Sequence, residues 1–152
     1  MTFKKHLLFI TAVLAVSAFT PAAMADDAGE IKYRQSIMKS IGGHMGAIAG
    51  ILKQETGNNA HLQMHSDAIM TLANITGTIF PKGSDFGETE ALPAIWEKPA
   101  DFAAAVKMLQ DAANTLGAAT MSGDMAATGA AFGGLGKACK NCHENFREKK
   151  KQ

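Results

Sequence analysis

Cys139 and Cys142 are the only cysteines in the chain, and His143 follows the second directly. Two thiols three residues apart can each add to a vinyl group of one porphyrin. An imidazole beside the second thiol can then meet the iron from the same side. On a helix, positions i, i+3 and i+4 share a face, so the attachment surface is continuous. The run Cys139-Lys140-Asn141-Cys142-His143 is the attachment signature of a c-type haem, so one covalently bound haem c with its iron is the expected cofactor. Rival chemistries are poorer. Structural zinc wants four ligands, and only two thiolates and scattered histidines are available. A redox dithiol belongs at the start of a helix that follows a strand, whereas helical patterning lies on both sides here. A disulfide closing so small a loop stabilises little through loop entropy.

Haem of this kind is attached outside the cytoplasm, and the N-terminus reads as an export signal. Lys4, Lys5 and His6 form a short positive region, and Leu7 to Phe19 is an uncharged apolar run of 13 residues. Ala23-Met24-Ala25 supplies the small–x–small pattern that signal peptidase reads. The run is shorter than the roughly 20 residues that span a bilayer. Residues 1–25 are therefore expected to be a cleaved Sec signal peptide, with an uncleaved anchor as the alternative. Residues 26–152 then form one periplasmic domain with no stable membrane insertion. Cleavage removes two lysines and leaves acidic and basic residues nearly balanced, so no nucleic-acid partner is implied. The basic stretch Arg147 to Lys151 reads as a solvated helix end, with a docking patch for an acidic partner as the alternative.

The elements that must position the motif read as helix throughout. A first helix is predicted over about 28–54, with Ile31, Met38, Met45 and Leu52 seven residues apart and Ile37, Ile41, Ile48 and Ile51 widening the stripe. Gly42, Gly43, Gly46 and Gly50 are costly in an exposed helix and suit close approach of a neighbouring helix or a flat ligand. A second helix covers about 59–78. A loop of roughly 20 residues follows, long for a bundle connection and therefore expected to have a task. A third helix starts after Pro99, Gly123-Asp124 breaks the chain, and a fourth runs to about Lys149. The fold class is all-α: an antiparallel four-helix bundle with haem near the C-terminal helix.

These features together resemble the class II cytochromes c, the family of cytochrome c′ and its low-spin, methionine-ligated relatives. The resemblance rests on Tyr33-Arg34-Gln35 with Met38, on Phe80-Pro81-Lys82-Gly83-Ser84 and Ala94-Ile95-Trp96, and on the C-terminal GKACKNCHENFREK. It covers essentially all of residues 28–149. It implies that Arg34 and Gln35 contact the haem propionates and, more weakly, that Thr89 and Glu90 line the haem edge. Trp96 reads as a packing anchor for the loop. Relatives dimerise through their first two helices, and the first-helix isoleucines fit either such a homodimer or the bundle core.

The position opposite His143 decides function. The resemblance matches Met38 to the position facing the distal iron, and the runs around it look closer to the methionine-ligated branch. His143 and Met38 as the two axial ligands would give a raised potential and an electron carrier serving periplasmic redox partner proteins. The alternative is a five-coordinate haem, with an apolar side chain over the open face, that binds nitric oxide or carbon monoxide. By periodicity alone Met38 is a core residue. His44 lies about 120° round the helix from Met38, so both cannot face one iron. His61 and His65 share a face of the second helix and read as solvated. No distal Arg–His pair is identifiable, so an enzyme with peroxidase-like chemistry is not expected.

Overall fold

The computed structural model describes residues 27–149, so the expected signal peptide, residues 1–25, lies outside the described residues. Asp27 and Glu30 place negative charge in the first turn of α1 (Asp27–Leu52), where the helix dipole favours it. Gln54 ends this run in the left-handed conformation, φ 60°, while Glu55 N–H donates to the Gly50 carbonyl at 2.9 Å. The predicted second helix is three pieces. A 3₁₀ turn, Asn59–His61, feeds α2 (Leu62–Ile75), which tightens into a second 3₁₀ turn at Thr76–Thr78. The long connection holds one helical turn, α3 (Ala94–Glu97). Pro99 opens α4 (Pro99–Ser122), where its missing N–H costs nothing, and Gly123 closes it at φ 73°.

Asp124 starts α5 (Met125–Phe146) as a capping residue, its carboxylate accepting from Ala126 N–H at 2.8 Å and Ala127 N–H at 3.0 Å. This cap anchors the end of α5 remote from the haem motif. Asp124→Ala is expected to cost about 1 kcal/mol of unfolding free energy, measured by urea denaturation, without altering the haem spectrum.

Packing runs α1 on α2, α2 on α4 and α4 on α5, while α1 and α5 do not close the ring with comparable backbone packing. Ile41, Ile48, Ile51, Ile69, Leu116 and Leu135 fill the main core, drawing on all four long helices. The first-helix isoleucines at 31, 41, 48 and 51 are thus buried, which removes them as an argument for a dimer face. A second cluster of Ile95, Phe102, Val106 and Phe146 joins the loop to the end of α5. Trp96 anchors it as expected, its indole N–H donating to the Phe80 and Pro81 carbonyls at 3.1 Å each. Among the described residues no strand forms; a single β-bridge joins Ala91 to Arg147.

His65 differs from the expected solvated residue, whereas His61 agrees with it. His44 on α1 and His65 on α2 are half-buried against each other, with Nδ1 atoms 2.9 Å apart and ring centroids 5.2 Å apart. Only His61 is exposed. Burial lowers the pKa of His65, and the charges of His44 and His61 lower it further.

Candidate functional site

Cys139, Cys142 and His143 lie in the last two turns of α5, whose inner face is fixed by Leu135, Ala138 and Phe146. Both thiols are half-buried and unbridged. Burial raises the pKa of each, and Cys142 rises further beside Cys139. A redox dithiol needs the opposite: a helix N-terminus that lowers the thiol pKa. These thiols sit instead towards the negative end of the helix dipole. Burial lowers the pKa of His143, as does the Arg147 charge, while Glu90 opposes the shift. The net effect favours the neutral imidazole, which has a lone pair for a metal.

Cys139, His143 and Gly136 line one cleft of about 420 Å³, which Arg147 and Glu148 extend. That volume falls in the range of about 300–1,000 Å³ usual for cofactor and ligand sites. A Cβ built at Gly133, Gly134 or Gly136 would meet nothing within 4 Å, and the same holds for Gly42, Gly43 and Gly46 on α1. No neighbouring helix approaches those α1 glycines, which corrects one of their two expected uses. The open space beside both helices, and the absence of close α1–α5 packing, leave room for a flat group. A neutral imidazole, two thiols one helical turn apart and this open cleft fit a c-type haem. Cys139 and Cys142 would hold it through thioethers and His143 through the iron.

The long loop has a structural task that sequence reasoning left unspecified. Arg34 on α1 is buried, 3% exposed, and donates to Ser84 Oγ at 2.8 Å, Ser84 O at 2.9 Å and Thr89 Oγ1 at 2.8 Å. Its guanidinium carbon also lies 4.9 Å from the centroid of the Phe80 ring. Gln35 Nε2 donates to the Glu88 carbonyl at 2.7 Å. At the other end of the loop, Glu148 N–H donates to the Glu90 carbonyl at 2.8 Å, and Leu92 N–H to the Phe146 carbonyl at 3.0 Å. The loop thus ties the first helix to the end of the helix that carries the motif. Burial lowers the Arg34 pKa, an effect Glu30 opposes, yet a guanidinium stays charged. Arg34→Ala leaves Ser84 and Thr89 without their donor. It is expected to lower unfolding free energy by about 3 kcal/mol or more in urea denaturation of the holoprotein. A loss below about 1 kcal/mol would remove Arg34 as the loop's main tie.

The four residues named for the haem edge are therefore all brought to this loop, but their described bonds are with the protein itself. Sequence reading missed Arg147 as a site residue, treating it as part of a basic tail. It lines the cleft one helical turn after His143, and its Nε is buried without a hydrogen-bond partner, 3.8 Å from the Glu90 carboxylate. The i+4 spacing from His143 was the available signal. Met38 is half-buried on α1, packed against the main core.

Comparison with known proteins bears on the distal side. The family model described as Cytochrome C′ matches residues 29–147. Cytochrome c′ of Rhodospirillum rubrum is 35% identical over 144 residues, covering 94% of this chain and 98% of its own. The crystal structure of cytochrome c′ from Rubrivivax gelatinosus superposes with a TM-score of 0.75 at 35% identity, covering 80% of this chain and 97% of that one. A variant of cytochrome c prime from Alcaligenes xylosoxidans, solved as a nitric oxide complex, superposes at 0.76 with 31% identity, covering 82% and 98%.

These findings overturn the expected His143/Met38 electron carrier. Relatives including that of Rhodospirillum rubrum are named cytochrome c′, and the structural neighbours include complexes with a diatomic gas. The methionine-ligated branch is not supported. The physical reason for the misreading is that an apolar stripe places Met38 inward whether or not iron lies beyond it, so periodicity cannot separate ligand from packing. With a haem-attachment motif on the last helix of a four-helix bundle and a family match spanning the four long helices, the chain belongs to the cytochrome c′ family, whose cofactor is covalently bound haem c.

Proposed function

We propose that this is a periplasmic five-coordinate haem protein that binds nitric oxide or carbon monoxide. The observation that carries the reading is the likeness, across more than four-fifths of the chain, to a cytochrome c prime solved with nitric oxide bound. Bound haem would supply an iron able to take up a diatomic gas. Cys139 and Cys142 would hold the porphyrin on α5 through thioethers, and His143 would be the one protein side chain to bind its iron. Met38 would contribute an apolar wall to the site, excluding water without coordinating.

Arg34 and Gln35 reach the propionate edge in this reading. Arg34's three described bonds use both terminal nitrogens and leave its Nε proton and one Nη1 proton for a carboxylate. Thr89 and Glu90 hold the loop along the same edge. Residues 1–25 direct export and are removed, leaving a domain that starts at Asp26. Among the described residues no helix is long and apolar enough to cross a membrane. Titration of the dithionite-reduced holoprotein with carbon monoxide tests the function. A one-to-one spectral change is expected, and a ferrous spectrum that carbon monoxide does not alter would refute the reading.

A further inference from the structure

We propose that His44 and His65, with His61 as third ligand, form a second metal site that takes Zn²⁺ or a similar imidazole-preferring divalent cation and ties α1 to α2. The His44 and His65 Nδ1 atoms lie 2.9 Å apart across the helix contact. As a hydrogen bond, this contact needs a proton on one nitrogen and a lone pair on the other. With a lone pair on both, the same approach fits two ligands of one cation. Zinc–imidazole bonds of roughly 2.0–2.1 Å at a tetrahedral angle put the two nitrogens about 3.3 Å apart. Admitting the ion needs the two nitrogens to part by a few tenths of an ångström and each ring to turn by roughly 35°, so that both lone pairs converge on it.

His61 stands four residues before His65, the spacing at which two histidines on one helix face chelate a metal. It lies at the junction of the 3₁₀ turn with α2, backbone in the helical region, and its charge reaches His65. Among the described residues no group of three such ligands is already assembled. His61 is exposed, so rotation of its side chain completes the set and water takes the fourth position. The nearby carboxylate of Asp67 is engaged by Gln63 Nε2 at 2.7 Å and stays outside it. The site is separate from the haem motif, which is on α5.

The test is calorimetric titration of the holoprotein with Zn²⁺, in which the cysteines and His143 are already engaged by haem. Wild type is expected to bind one ion per chain. His44→Gln and His65→Gln should each weaken binding at least about tenfold. Excess Zn²⁺ should raise the thermal midpoint of wild type but not of the His44→Gln/His65→Gln double variant. His61→Gln changes an exposed residue and removes no buried packing, so wild-type Zn²⁺ affinity in that variant would remove it as third ligand. Absence of Zn²⁺ binding by wild type, or equal affinity in the double variant, would overturn the site.

Discussion

Cys139→Ala/Cys142→Ala, produced in a host that matures c-type cytochromes, is expected to lose all haem that survives acid–acetone extraction. Each thioether is a covalent bond, so the attachment has no reversible component to weaken gradually. His143 can still grip iron in the double variant, but one coordinate bond and apolar contacts hold the group only as a dissociable ligand. Either single variant should keep one thioether and stay coloured after extraction. Mass spectrometry reads the result directly: one haem on wild type and on each single variant, none on the double variant. A double variant that still carried haem after extraction would mean attachment elsewhere, and the description of α5 would fail.

The second large effect concerns the opposite face. Met38→Ala is expected to tighten carbon monoxide binding to the ferrous protein by about 10-fold or more. A ligand entering beneath an apolar cover must displace packed side-chain atoms. Burial of a methionine side chain is worth about 1.5–3 kcal/mol, and each 1.4 kcal/mol corresponds to a tenfold change. Met38 is half-buried, which places the effect at the lower end. Met38→Phe should act in the other direction by enlarging the cover. If Met38 does not ligate, as proposed, the ferric spin state is the same in all three proteins. Conversion from low-spin to high-spin on Met38→Ala would instead restore the methionine as an axial bond.

The helices and their breaks were legible because their causes are local. Pro99, Gly123 and Asp124 act through their own backbone and side-chain chemistry, and the structure ends and starts helices at those residues. Cys139, Cys142 and His143 were legible for a related reason: the whole chemistry fits within five residues. Nonlocal matters were harder. The Arg34 side chain reaches Ser84 and Thr89, 50 and 55 residues away, and nothing in either stretch alone announces that pairing. The loop's length signalled a task, but the task became visible only when Glu90 met Glu148 and Leu92 met Phe146.

Glycine and histidine were misread for opposite reasons. Gly42, Gly43 and Gly46 invited two explanations, a close helix or a flat ligand, and only spatial surroundings could remove the first. His65 read as a solvated residue because helical periodicity assigns faces within one helix and says nothing of His44 across the contact. Met38 shows the same limit at the most consequential position. Its burial follows from the stripe, whereas its bond to iron, or lack of one, depends on a group that the stripe does not encode.

The most direct test of the account is the absorption spectrum of the ferric holoprotein before any mutation. Five-coordinate iron held by His143 alone predicts a high-spin spectrum without the weak far-red band of a methionine–iron bond. A low-spin wild-type spectrum with that band would contradict it.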